Sequence, residues 1–106
     1  MNFNEYQKKA HETAVYPPEQ WMTYLTLKLA AEAGEAGQVV AKHIRGDYDF
    51  NEVPEKLLKE MGDVLWYLAD LCTMLGVPMD ALAESNLAKL SDRATRGLIR
   101  GSGDER

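Results

Sequence analysis

The sequence has little cysteine and little positive charge, and each shortage excludes a class of protein. A single cysteine, Cys72, excludes an internal disulfide and a zinc site built from thiolates, and it suits a reducing cytoplasm. The 12 basic residues are outnumbered by 17 acidic ones, which argues against a surface that follows a nucleic-acid backbone. No apolar run approaches the roughly 20 residues of a membrane span, and the polar start has no signal-peptide core. We therefore expect a cytoplasmic protein that binds neither nucleic acid nor membrane.

What is present is helical periodicity. Four segments repeat apolar residues at a period near 3.6 and no alternating run interrupts them, so the sequence predicts an all-α fold in one domain of 106 residues. The expected helices cover about residues 3–15, 18–45, 54–75 and 78–93, with Pro17-Pro18, Gly46 and Gly76 as the breaks between them. Residues 95–106 are expected to form a glycine-rich C-terminal arm beside a helical domain at 1–94.

Short connections between these helices favour antiparallel neighbours, and hence an up-down bundle. The third helix is apolar over much of its circumference, through Leu57, Leu58, Met61, Val64, Leu65, Leu68, Leu71 and Cys72. One neighbouring helix cannot cover so wide a surface, so we expect the chain to self-associate. The alternative is that this helix lies at the centre of a monomer.

Two matched acidic motifs carry the chemical information, Glu32-x-x-Glu35 on the second helix and Glu60-x-x-Asp63 on the third. Side chains three residues apart lie on one helix face, about 5–6 Å apart at Cβ. Both motifs are in phase with the apolar stripe of their helix, and antiparallel packing can bring them together. The alternative is solvated surface acids, paired four residues away with lysines 28, 56 and 59.

Four converging carboxylates raise one another's pKa unless a cation compensates them. Oxygen ligands without cysteine or histidine favour Mg²⁺ or Mn²⁺. A di-iron site is disfavoured because neither His11 nor His43 stands three residues after a glutamate. Mg²⁺ usually binds phosphate oxygens as well, which suggests a polyphosphate substrate. Its charge could be balanced by cations that follow the motifs: Lys42, Lys89, Arg93, Arg96 and Arg100.

Together with Asn86-x-x-Lys89-x-x-x-Arg93, these motifs resemble the MazG-type nucleoside triphosphate pyrophosphohydrolases of the all-α superfamily, in a compact single-domain branch of bacterial and phage members. The resemblance extends over nearly the whole chain. It includes Leu-x-x-Glu-x-Gly-Glu at 29–35, Lys-Glu-x-Gly-Asp-Val-Leu-Trp-Tyr at 59–67 and Asn-x-x-Lys-Leu at 86–90.

The resemblance implies an antiparallel four-helix bundle of the all-α NTP pyrophosphatase type, completed by oligomerisation to a dimer or to a tetramer built as a dimer of dimers. It implies hydrolysis of (d)NTP to (d)NMP and pyrophosphate by water activated by two or more Mg²⁺ ions, with Mn²⁺ as a substitute. The metal ligands would be Glu32, Glu35, Glu60 and Asp63. The residues for the phosphates and sugar would be Lys42, Tyr67, Asn86, Lys89 and Arg93, and those near the base would be Gln7, Tyr16 and Trp21.

One departure from the family pattern affects the catalytic base. Many relatives carry a further glutamate where this chain has Ala31, so Glu32, Glu35 or the metal alone could activate the water. Two other functions stay open. They are a non-catalytic helical module that binds a nucleotide or a partner, and an enzyme resembling phosphoribosyl-ATP pyrophosphohydrolase. Cys72, in phase with the apolar stripe, is expected to be a core residue.

Overall fold

The structure, a computed structural model, describes all 106 residues and contains helices without any strand. The four α-helices are α1 (Phe3–His11), α2 (Trp21–Arg45), α3 (Val53–Leu75) and α4 (Met79–Thr95). Short 3₁₀ turns at Pro18–Gln20 and Phe50–Glu52 lead into α2 and α3. The all-α class and the helical-bundle architecture predicted from the periodicity are confirmed.

α1 is shorter than predicted, because it ends at His11 and not near residue 15. Its start is capped by Asn2, whose side chain accepts a hydrogen bond from the Glu5 backbone N–H at 2.9 Å. At its end the backbone bonds tighten to a spacing of three residues, and the Thr13 hydroxyl donates to the Ala10 carbonyl at 2.7 Å. The Ala10 carbonyl thus accepts from both the backbone N–H and the side chain of Thr13, and the regular spacing of four residues ends there. Residues 12–17 therefore form a non-helical connector to α2.

The predicted glycine stops are confirmed at both long helices. Gly46 after α2 has φ 95° and Gly76 after α3 has φ 74°, and both lie in the left-handed region that favours glycine. The start of α2 differs from the expectation, since Pro18–Gln20 form a 3₁₀ turn before the α-helix begins at Trp21.

α2 and α3 form the centre of the bundle and run antiparallel. Tyr24, early in α2, contacts Tyr67 in the second half of α3, while the His43 ring near the end of α2 meets the Phe50 ring in the 3₁₀ turn that leads into α3. α1 packs on α3, and α4 packs mainly against α1.

The last helix departs from the expected up-down order, because the chain turns by 99° between α3 and α4. The Gln7 side chain of α1 holds this turn by accepting from the Met79 N–H and donating to the Val77 carbonyl, each at 2.9 Å. No helix is by itself long and apolar enough to cross a membrane; only the bent pair of α3 and α4 reaches that length and composition together.

The buried core of the single chain is small. One cluster joins α1, α3 and α4 through Ala10, Ala69, Cys72 and Met79, with Tyr6, Leu65 and Trp66 packed against it. Burial raises the pKa of the Cys72 thiol, as expected for a core residue. Several residues of the predicted apolar stripes remain exposed, including Met22, Val40, Ile44, Leu58, Met61 and Leu75. Ile44 is 78% exposed, so the periodicity of α2 does not correspond to burial within one chain.

Candidate functional site

Three of the four predicted motif acids meet between α2 and α3. Carboxylate oxygens of Glu32, Glu60 and Asp63 all lie within 4.8 Å of one another, and we call these residues the acid cluster. The i, i+3 spacing places Glu60 and Asp63 on one face of α3, and the antiparallel packing brings Glu32 of α2 opposite them. The expected convergence of the two motifs is therefore present for three of the acids.

The acid cluster carries more negative charge than nearby lysines compensate. Partial burial and the charges of Asp63, Glu35 and Glu32 raise the pKa of Glu60 above its usual value. Of the three lysine pairs that a simple surface would form, only Lys28–Glu32 is present, at 3.6 Å.

The other two lysines have different neighbours. Lys59 Nζ lies 3.9 Å from the Glu55 carboxylate, and Lys56 Nζ lies 4.8 Å from the centre of the Tyr48 ring. Since neither pairs with the acid cluster, ordinary surface pairing does not account for Glu60 and Asp63.

Glu35, the fourth motif acid, lies outside the acid cluster. Its side chain is exposed and lines a cavity of about 290 Å³ at one end of the cluster, together with Glu60. We call this the lysine cavity, since the rest of its lining is Gln38, Val39, Lys42, Tyr48, Lys56 and Lys59. The predicted phosphate residue Lys42 is therefore next to two of the motif acids.

A second cavity, also of about 290 Å³, opens on the other side of the acid cluster and is lined by Glu32 and Asp63. We call it the aromatic cavity, because the rest of its lining is Thr13, Val15, Tyr16, Tyr24, Trp66 and Tyr67. The acid cluster thus separates a cationic cavity from an aromatic one.

The rings of the aromatic cavity are packed against one another. The Tyr16 and Tyr24 rings stack at 5.2 Å between centroids, and Trp66 meets Tyr67 edge-on at 4.9 Å. The Trp66 indole N–H donates to the Thr13 hydroxyl at 2.8 Å. Burial and the neighbouring Tyr24 hydroxyl raise the pKa of Tyr67 to about 12, so this phenol is neutral at physiological pH. The cavity offers flat, uncharged surfaces of the kind on which heterocycles stack.

The three residues predicted to lie near a base are in three different places. Tyr16 lies in the aromatic cavity, together with Tyr67. Gln7 is buried, and both ends of its amide bind backbone at the α3–α4 turn. Trp21, half-buried at the first position of α2, lines neither cavity.

Asn86, Lys89 and Arg93 of α4 line neither cavity beside the acids. Asn86 is exposed. The Asp104 carboxylate, from the C-terminal arm, accepts from Lys89 Nζ at 3.0 Å and from Arg93 Nη2 at 3.1 Å through the same oxygen. Within one chain these cations therefore bind the arm.

Sequence reasoning gave no role in the site to nine of the 16 lining residues, among them Tyr24, Lys56, Lys59 and Trp66. Helical spacing could have indicated Trp66 and Lys56. Trp66 follows Asp63 by one turn, and Lys56 precedes Glu60 by one turn, so each shares a face with a motif acid.

The acid cluster lies between a lysine cavity and an aromatic cavity on a pair of helices. This arrangement is typical of all-α proteins whose carboxylates can hold a metal ion beside a nucleotide. A sequence model of the MazG nucleotide pyrophosphohydrolase domain matches residues 20–97, and the chain belongs to that family. The chain is also similar to the Gene 37 protein of Mycobacterium phage L5, with 39% identity over 115 aligned positions that cover all of both chains. No solved structure matches.

The family match confirms the resemblance inferred from the motifs. Membership indicates nucleotide pyrophosphohydrolase activity in general, a nucleotide substrate and the use of divalent metals. The acid cluster is the group of side chains in this structure that could hold such an ion.

Proposed function

We propose that this protein is a Mg²⁺-dependent pyrophosphohydrolase that converts (d)NTP to (d)NMP and pyrophosphate, in control or cleansing of the nucleotide pool. One observation carries the proposal: three carboxylates from two helices converge within 4.8 Å between the lysine cavity and the aromatic cavity. A triphosphate has its anionic chain at one end and its flat base at the other, which matches this order of surfaces.

The donor set fits a hard divalent ion. All three side chains of the acid cluster offer oxygen, which Mg²⁺ and Mn²⁺ prefer. The raised pKa of Glu60 supports the same reading, because desolvation and the neighbouring carboxylates both disfavour its charged form, and a bound cation would relieve this. In this proposal Glu35 and Glu60, both on the lysine cavity, contribute to a second ion. When bound, the ions polarise the α-phosphoryl group and make water more acidic.

The chain's own residues would then divide the work by position. Tyr16, Tyr24 and Tyr67 receive the base in the aromatic cavity. Lys42, Lys56 and Lys59 neutralise the charge that develops on the leaving diphosphate.

The α4 residues require a second copy of the chain in this proposal. Asn86, Lys89 and Arg93 act on the sugar and phosphates only if α4 of another copy brings them to the cavities. The exposed apolar side chains of the helices support a homo-oligomer, since Leu27, Ile44, Leu58 and Leu87 are each more than half exposed.

A product-resolved assay tests the proposal. All eight common NTPs and dNTPs are incubated with Mg²⁺ or Mn²⁺, and nucleoside monophosphate and pyrophosphate are measured. We expect turnover of at least one substrate, and we expect Glu35→Gln or Asp63→Asn to abolish it with the helical signal intact. Glu84→Gln, on an exposed acid of α4, is the matched control and should retain the rate. Nucleotide binding without turnover would favour the non-catalytic module, and near-normal rates in either site variant would refute the site assignment.

A further inference from the structure

Another acid of α3, Asp70, lies two turns beyond Asp63 and has different partners. Its side chain is completely buried, at 0% exposure. It has two side-chain partners, and both come from the N-terminal part of the chain. The Tyr16 hydroxyl donates to one carboxylate oxygen at 2.5 Å, and His11 Nδ1 lies 2.7 Å from the other.

Burying a carboxylate costs free energy unless hydrogen bonds compensate it, and Tyr16 and His11 supply these bonds to Asp70. Its two bonds attach the end of α1 and the connector at residues 12–17 to α3. Burial and the bond to Asp70 raise the pKa of Tyr16 well above its ordinary value, so the phenol stays protonated and remains a donor.

The bond to Asp70 also determines where the Tyr16 ring lies. That ring is stacked on Tyr24, with an angle of 21° between the planes, and it lines the aromatic cavity beside Glu32 and Asp63. Tyr16 belongs to a connector without helical hydrogen bonds, so its backbone alone does not hold the ring. The Asp70 carboxylate is the group that anchors it.

We propose that Asp70 is a positioning residue for substrate recognition, which anchors the Tyr16 ring as a stacking surface for the nucleotide base. His11 supports the second carboxylate oxygen. The inference rests on the proposed function, because it assigns the base to the aromatic cavity. Asp70 itself touches neither substrate nor metal.

The test measures recognition of the base separately from recognition of the phosphate chain. KM and kcat are measured for the best nucleoside triphosphate of the panel, and Ki is measured for inorganic tripolyphosphate, which has the phosphate chain without a base. Tyr16→Phe keeps the ring and removes the donor. We expect it to raise KM about tenfold with little change in kcat, as for the loss of one hydrogen bond to a charged group. The Ki of tripolyphosphate should not change.

Variants at Asp70 show whether the two residues act together. Asp70→Ala should raise KM as Tyr16→Phe does, and Asp70→Asn, which keeps an acceptor oxygen, should restore part of the affinity. The double variant of Tyr16→Phe with Asp70→Ala should be no worse than Asp70→Ala alone. Met79→Ala, a core truncation outside the cavities, is the stability control and should leave the ratio of KM to Ki unchanged.

Three results would overturn the inference. They are a rise of KM together with the Ki of tripolyphosphate, an unchanged KM in the single variants, and a KM in the double variant that rises by the product of the two single effects. If the wild-type protein hydrolyses no triphosphate, the proposed function fails on its own. Quenching of tryptophan fluorescence by a nucleoside monophosphate, in a Trp21→Phe background that leaves Trp66 as the single reporter, then decides the inference separately. Weaker quenching in Tyr16→Phe supports it, and equal quenching overturns it.

Discussion

Divalent ions should raise the melting temperature of this protein, and the acid cluster should determine the size of the rise. An ion that binds only the folded state at 100 times its Kd adds about 2.7 kcal/mol to the free energy of unfolding. For a domain of this size each kcal/mol shifts Tm by about 4–8 °C, so the expected rise is about 10–20 °C. The measurement is circular dichroism at 222 nm during heating, in EDTA and in Mg²⁺ or Mn²⁺, at one protein concentration.

Glu60→Gln should raise the melting temperature of the metal-free protein and reduce the further rise that the ion causes. Because the pKa of Glu60 is raised in the folded chain, its ionised form is disfavoured there. Its destabilising effect is therefore complete above that raised pKa and is relieved as pH falls through it toward the usual value of 4.5, so removing the charge should raise the Tm of the metal-free protein at neutral pH. The same change removes a ligand, so the rise in Tm with metal should be mostly lost.

The matched control is Glu84→Gln, which removes an equal charge from an exposed position on α4 and should melt like the wild-type protein in both conditions. An equal rise in Tm with Mn²⁺ in Glu60→Gln and in the wild-type protein would refute Glu60 as a metal ligand. A fall in the metal-free Tm of Glu60→Gln would refute the electrostatic reasoning.

Three further predictions concern the arm, the helix ends and the assembly. Hydrogen bonds from Lys89 and Arg93 lower the pKa of Asp104 below its usual 3.8. The attachment of the arm is therefore complete above pH 3.8 and is lost as pH falls through the lowered pKa. Amide exchange of residues 98–106 should show this loss, and Asp104→Asn should exchange faster than the wild-type protein at neutral pH. Gly76→Ala, at φ 74°, should lower the free energy of unfolding measured in urea by about 1–2 kcal/mol. Gly37→Ala, in the middle of α2 with open space at its Cβ, should raise it by about 0.5–1 kcal/mol. Changes of the same sign in the two variants would contradict this expectation. Sedimentation should give a mass of at least two 11.9 kDa chains, and a monomer at micromolar concentration would reject the proposed oligomer.

The helices could be predicted because their signals are local. A period of 3.6 and the left-handed glycines at 46 and 76 act within a few residues, and both long helices end where those glycines stand. The early end of α1 has no comparable local signal, because the segment after it is held by bonds of His11 and Tyr16 to Asp70, which lies 59 and 54 positions away in sequence. The crossing of α4 likewise depends on Gln7, about 70 residues away in sequence.

The sequence by itself determined the helical class, the two acidic motifs and the helix face on which each motif lies, since spacing along one helix decides these. Only the tertiary structure decided which acids meet, that Glu35 belongs to the lysine cavity, and that Asp70 anchors Tyr16. The reason is physical: helical periodicity specifies the direction of a side chain around its own helix but carries no information about its partner. The bond between Tyr16 and Asp70 joins residues 54 positions apart, and packing alone brings them together.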